Sequence, residues 1–528
     1  MSALTDYLSQ EKADRVILVE VRDSNGIRQY SWSNKPYRIN VAEDLVTANY
    51  LPHIEDDGFP SLRRECQTPT SGGSAIGFGS IRVAKIDPNN PPKRGWEISV
   101  WVTGPRRLFP YADRIPVVEG IVQRVIADDG GGIEIEIGSA IALALETEVR
   151  QQTYTLTDIG GIGTERAYDN QPLPLGYVRN MQPVLSDAAN LKYDICAWPD
   201  PNNDYAGFLS GDVTAVYDNG VEIPGANWSV AIESETVESV GWKVARLVLT
   251  TTPIGIVTLD TTGFRVPDLA PIPGAPVVAE NVAAIVTFLL MEFCGLQQSD
   301  ITQAGQYSRE TAPHIPLYNP FTEPAGYLVK DAESAREIIH KLITGAGGMW
   351  WITRDGGFYA ARTIHYNEPV TFSLEVAAPK RQRLTHARWE EEGSPASQVL
   401  IQYDPNWTPM EPASGVALED RQRFQDEGVL MAVGIQEAAA DAAPEPQVLI
   451  SHLRDQFGAQ ISASLFGRHR RAQRYQVTTE VPFQNLDLGM TIRLEDSQCP
   501  IEKAVVHAIE DSYNGTPVHI LTLRGIDV

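Results

Sequence analysis

Residues 120–138 read GIVQRVIADDGGGIEIEIG, and residues 504–525 read AVVHAIEDSYNGTPVHILTLRG. Each is an apolar-rich strand, a turn of acidic and glycine residues, and a second strand that ends in glycine. Glycine takes positive φ without steric cost, and Asp or Asn bonds its own backbone, so both belong at such turns. Ile133, Ile135 and Ile137 fall on one face of a strand and Glu134 and Glu136 on the other. In the second copy, Val518 and Ile520 stand against Leu521 and Leu523, so apolar groups occupy both faces. The pattern predicts two related β-barrels or sandwiches, the C-terminal one covered on two sides and the N-terminal one open on one.

Working outward, the 528 residues are enough for roughly three to five domains with sizeable cores. Composition is that of a folded protein, 43% hydrophobic and 21% charged, with 36 Pro and 42 Gly promising many turns. Lys and Arg number 43 against 68 Asp and Glu, a formal net charge of −25. That balance opposes binding to nucleic acid or to anionic lipid, both of which call for basic surfaces. It suits a subunit that stays dispersed before assembly, or a surface past which DNA slides. No apolar run approaches a membrane span, and the first residues, MSALTDYLSQEKADR, lack a signal-peptide pattern, so folding in a cytoplasm is expected. Cys66, Cys196, Cys294 and Cys499 lie far apart and read as buried thiols.

Four regions follow from the pattern. Residues 1–150 read as an N-terminal β domain, with a loop-rich stretch over 52–95 of the kind that binds or interlocks. Residues 151–275 form a second β-rich domain. It opens with 160–185, whose prolines 172, 174 and 183 exclude a central strand, and it carries a hairpin turn at Asn219-Gly220. Residues 276–365 switch to helical periodicity. A buried helix is expected over 278–294 and another from an N-cap at Asp331, ending at the Gly345–Gly348 cluster; a hairpin over 349–362 completes an α+β module. Residues 366–528 return to β, as a barrel with a helical insertion at about 410–472. Helices are expected there over 417–427 and 447–471.

No pattern of catalysis or cofactor binding emerges. The glycines at 160–163 and 345–348 lack the Lys and Ser/Thr of a phosphate loop. The nine histidines are not at metal-ligand spacing. Three acidic groups suit a glycosidase test: Asp128/Asp129 in a hairpin turn, Glu390 to Glu392 at a strand end, and Asp426/Glu427 on a helix surface. None is flanked by aromatic clusters that would line a sugar groove. The basic cluster Arg468-His469-Arg470-Arg471 with Arg474 reads either as cations at a helix C-terminus or as a docking patch for an acidic neighbour.

Four stretches resemble the tail baseplate hub proteins of long-tailed bacteriophages and gene-transfer particles. They are GGSAIGFGSIRVAK with GWEISVWV (within 72–102), PLPLGYVRNMQPVL (172–185), GAGGMWWITRDGGFYAAR (345–362), and the terminal module over 474–525. The resemblance implies a structural tail-tip hub and not an enzyme. It further implies a homotrimeric ring that joins the hexameric distal tail tube to a threefold tip around the DNA channel. Its implied partners are the distal tail protein ring, the tape measure protein and other tail-tip or fibre proteins. A tail-borne wall or polysaccharide hydrolase and a receptor-binding tail protein are the alternatives.

Overall fold

A computed structural model of the chain describes residues 3–8, 14–39, 49–54, 62–69, 77–84, 90–127, 132–149, 171–199, 208–237, 240–263, 281–296, 321–353, 357–362, 372–375, 384–390, 398–434, 446–471, 473–479, 487–495, 501–513 and 517–525. It is a multidomain, mainly β protein with an α+β module.

The N-terminal region begins with helix α1 (Ala3–Leu8), whose Leu4 and Leu8 enter the core. Strands β1 (Val16–Arg22) and β2 (Arg28–Ser33) follow, then the small pair β3 (Tyr37–Arg38) and β4 (Asn49–Tyr50). β5 (Leu62–Glu65) lies near the strand that follows it and pairs with a strand from the C-terminal part of the chain. β6 (Gly77–Val83), β7 (Glu97–Thr103), β8 (Ile115–Ala127) and β9 (Ile133–Gly138) complete a six-stranded sheet, ordered β2-β1-β7-β8-β9-β6. Ile133, Ile135 and Ile137 are buried while Glu134 and Glu136 are half-buried, as their alternation predicts. Helix α2 (Ala140–Leu145) is capped by the Ser139 hydroxyl, which accepts from the Ala142 N–H.

Next come β10 (Leu173–Gly176), β11 (Val178–Met181), β12 (Val184–Asp187), β13 (Lys192–Pro199), β14 (Val213–Asp218), β15 (Val221–Glu222), β16 (Trp228–Val237), β17 (Val240–Leu249) and β18 (Val257–Thr261). Two four-stranded sheets result, β11-β18-β14-β15 and β12-β13-β17-β16. Asn219 and Gly220 both take positive φ (50° and 82°), the geometry of a type I′ hairpin turn.

The expected helix over 278–294 starts later, as α3 (Val282–Phe288). Asn281 caps it by accepting from the Ala284 N–H, and its last turn, Leu289–Phe293, widens to π geometry. β19 (Gly326–Val329) pairs with β10, which keeps Pro174 in a two-stranded ladder where its missing donor is tolerated. The expected N-cap at Asp331 is corrected to Ser334. Its hydroxyl accepts from Glu337 N–H and the Glu337 carboxylate reaches back, fixing the start of α4 (Ala335–Gly345). The β20 (Gly348–Ile352) and β21 (Phe358–Arg362) hairpin follows.

The last region holds β22 (Phe372–Glu375), β23 (Leu384–Glu390), β24 (Gln398–Tyr403), α5 (Leu418–Gln425), β25 (Val429–Gly434), β26 (Gln447–Ile450), α6 (Gln456–Arg471), β27 (Gln473–Thr479), β28 (Thr491–Glu495), β29 (Ile501–Tyr513) and β30 (Pro517–Gly525). Gln447–Ile450 is thus strand, not the first turn of a helix. It pairs in parallel with Val399–Gln402, and its β-branched and apolar side chains suit that role. The insertion is accordingly a three-stranded sheet, β25-β24-β26, whose Val399, Ile401, Val433 and Leu449 pack on Ala459, Ala463 and Phe466 of α6.

The terminal sheet runs β22-β28-β29-β30-β27-β23. Its heart repeats the first sheet. In each, four consecutive strands (β6 to β9, and β27 to β30) lie in the order second, third, fourth, first, all neighbours antiparallel. The hairpins also share a bulge. Pairing starts at Ile121↔Gly138 and skips Gln123; in the other it starts at Ala504↔Gly525 and skips His507. In the second hairpin Ala504 to Ile509 are buried in succession, so both faces of β29 are covered as expected, whereas Gln123 to Ala127 of the first hairpin are exposed or half-buried. On β30 Leu521 and Leu523 are buried and Ile520, Thr522 and Arg524 half-buried, and the side chain of Val518 lies outside the described residues.

Candidate functional site

Residues 172–185, PLPLGYVRNMQPVL, build a polar junction. Here the second β region, the α+β module and the C-terminal insertion meet. Gly176 (φ 64°) and Gly263 (φ 76°) let β10 and the end of β18 cross at backbone contact. A Cβ at Gly326 would overlap the Tyr177 carbonyl oxygen. The three glycines are therefore a steric requirement of the crossing. Tyr177 N–H donates to Ala325 O at 3.0 Å, and Gly326 N–H donates to His452 O at 3.0 Å.

Asn180 follows with φ 53°, in the left-handed region where Asn is among the tolerated residues. It is fully buried, and its amide donates at 2.7 Å to both Asn406 Oδ1 and Thr408 O. Asn406 in turn donates to Phe424 O (3.0 Å) and Asp426 O (2.9 Å), fastening α5 to the same point. Arg179 pairs with Asp404 at 2.7 Å, Arg423 pairs with Asp260, and Arg454 lies over the Tyr177 ring at 4.5 Å. Burial lowers the Arg179 pKa and raises that of Asp404 in spite of their attraction. Desolvation therefore outweighs the ion pair, which sets position more than it stabilises. Below it, Tyr327, Trp407 and His452 form an aromatic cluster with centroids 4.8–6.0 Å apart. Burial holds the His452 imidazole down at about 4, so it is neutral at pH 7.

A second junction ties the two ends of the chain together. β5 lies along the edge of β29 beyond the reach of β28, with Glu65↔Ala508 and Leu62↔Asp511 at its limits. Arg64 is buried between Asp487 (2.6 Å) and Asp511 (3.6 Å). Burial works against its charge, but the two carboxylates more than offset it and raise the pKa. Cys66 N–H donates to His507 O at 2.8 Å, and Gln67 and Trp350 exchange backbone bonds. The loop-rich stretch over 52–95 is thus an interlocking element in its residues 62–68.

The residues singled out for chemistry do not converge. Asp128, Asp129, Glu391 and Glu392 lie outside the described residues, as do the glycines at 160–163; Glu390 ends β23. Asp426 and Glu427 are exposed just past α5. Gly345 closes α4 and Gly347 takes φ 71° behind it, the stop signal of a helix. Of the basic cluster, Arg468 and Arg470 are exposed at the end of α6 while His469 is buried against His507, ring centroids 5.3 Å apart. Arg524 donates to His469 O at 3.2 Å, so a cation does complement that helix end. Burial raises the thiols of Cys66 and Cys196 well above their ordinary range and that of Cys294 to about 11. Among the described residues no three His, Cys, Asp or Glu side chains gather as a metal site, and no helix is long and apolar enough to cross a membrane. Neither junction partner was legible beforehand. Asn406 and Arg64 are polar residues in turn-like sequence, and only the proline-glycine punctuation of 172–185 marked that stretch as unusual.

No protein-family model matches the chain, and no curated protein matches it. Solved structures to which it is similar include the 43 kDa tail protein of prophage MuSo2 from Shewanella oneidensis, at 9% identity over 97% of this chain and 98% of that chain, TM-score 0.41. A tail protein from Neisseria meningitidis MC58 is similar at 9% identity over 96% of each chain, TM-score 0.42. A chain from the virion of a native gene transfer agent particle is similar at 14% identity, over 74% of this chain and 92% of that one, TM-score 0.42.

Proposed function

We propose that the chain is a structural protein of a bacteriophage tail, the hub of its tip, and performs no catalytic step. Three copies form a ring between the hexameric distal tail tube and the threefold tip, around the DNA channel. The distal tail ring, the tape measure protein and other tip or fibre proteins are its neighbours. One observation carries this reading: the sheets at the two ends of the chain share strand order, direction and bulge. Three chains with two matched sheets each offer six similar units, which reconciles a sixfold tube with a threefold tip. The strap β5 and the 172–185 junction support it, since they lock the end sheets into one body that can transmit a fixed geometry. The sequence likeness to tail hubs over four stretches and the net charge of −25, which repels DNA from a channel wall, agree. Electron microscopy of intact tails at side-chain resolution tests the reading. It expects three copies with the two sheets alternating around the axis; six copies, or placement outside the ring, overturn it.

A further inference from the structure

The matched sheets differ at one edge, where the described residues of the N-terminal sheet leave a position unfilled. In the C-terminal sheet, β28 covers β29 only as far as Val505, and β5 takes over the same edge at Ala508–Asp511. In the N-terminal sheet, β7 covers β8 only as far as Ile121, with one further backbone exchange between Val122 and the residues before β7. Beyond the shared bulge, Arg124 to Ala127 correspond to Ala508 to Asp511, and among the described residues nothing pairs with that edge. The burial agrees. Ala508, Ile509 and Asp511 are buried, whereas Arg124, Ile126 and Ala127 are exposed and Val125 is half-buried. Arg124 keeps 68% of its side chain exposed and lies 4.0 Å from the Glu136 carboxylate. The edge carries no proline, no bulge within those four residues and no lysine, the usual protections against strand addition.

We infer that the β8 edge at Arg124–Ala127 receives an extended segment of another polypeptide by strand addition, as the equivalent edge of β29 receives β5. The segment runs antiparallel to β8, places a carboxylate opposite Arg124 and an apolar side chain opposite Ile126. Opposed charges and apolar pairs are what stabilise directly facing residues of such ladders. In the β5 precedent, Glu65 occupies the place that would face Arg124. This chain's own strand of that kind is already engaged on β29, which points to an unlike partner and not a second copy. The inference rests on the matched sheets and stands apart from the tail role.

The probe is a synthetic peptide, Ser-Leu-Ile-Ile-Glu-Ser, patterned on β5 with Ile in the places of Arg63 and Arg64, so that an apolar side chain faces Ile126 and the cation that holds β5 to Asp487 and Asp511 is absent. Added to the full-length protein, it should slow amide exchange over 122–127, with saturable binding by fluorescence anisotropy. Arg124→Glu should weaken binding at least tenfold, and a peptide with Lys in the Glu position should restore it to that variant. Ile126→Lys should abolish it while leaving the melting temperature of the free protein within a few degrees. Absence of binding at millimolar peptide, indifference to both substitutions, or protection at 508–511 in place of 122–127 would overturn the inference. Protection of 122–127 that grows with protein concentration alone would assign the edge to a second copy and overturn the unlike partner.

Discussion

Gly326 sits where one backbone crosses another, so its tolerance is a direct reading of the junction. Gly326→Ala should cost about 3 kcal/mol, since the Tyr177 carbonyl has a rigid strand behind it and cannot yield; a urea midpoint measures it. Asn180→Ala should cost about 2 kcal/mol, by losing two buried hydrogen bonds and by forcing Ala into positive φ. Asn180→Gly keeps the backbone and should recover part of that loss, which separates the two causes. The buried histidines add a pH dependence. Burial holds His452 at about 4 and His507 at about 3, below the value near 6.5 of an unfolded chain. Their folded forms are therefore neutral, and the stability this contributes is complete above pH 6.5. It is lost as the pH falls from 6.5 towards those values, by about 1.4 kcal/mol per pH unit for each. Denaturant midpoints should be flat from pH 8 to 7 and fall between pH 6.5 and 5. His452→Phe should flatten that slope. At this scale the sequence showed which positions punctuate, such as Gly345 or Asn219-Gly220. It could not show which polar residues would be buried, because the partners Asn180 and Asn406 are 226 residues apart.

Elements were legible where periodicity was local. The two hairpins, the β20–β21 turn and α4 announce themselves by alternation, by a glycine-rich turn and by a stripe of Ile338, Ile339, Leu342 and Ile343. Boundaries failed where a cap or a distant strand decided: Ser334 wins over Asp331 because only it has Glu337 three residues on, and Gln447–Ile450 becomes strand because β24 offers an edge. β5 was the least legible of all. Leu-Arg-Arg-Glu has no strand-like alternation, and what makes it a strand is β29, more than 440 positions later. Arg64→Ala should free it by removing the guanidinium from between Asp487 and Asp511, at about 3–5 kcal/mol for a broken buried pair. Amide exchange over 508–511 should then accelerate with no change in the first sheet. Unaltered protection there would mean that the backbone ladder alone holds the strap.

For the whole molecule, the strap and the 172–185 junction predict one cooperative unit where the pattern along the chain suggested four regions. Calorimetry should give a single transition with matching calorimetric and van't Hoff enthalpies, and Arg64→Ala should split it. Two independent transitions in the unaltered protein would contradict the interlock. The amino-acid order by itself determined the mainly β class, the twin hairpins and the acidic surface, because alternation, turn chemistry and charge act between near neighbours. How the segments between those hairpins interlock, and which edge is filled and which left open among the described residues, was decided only by the tertiary structure. Those features come from contacts between residues hundreds of positions apart, whose pairing depends on where each sheet ends in space.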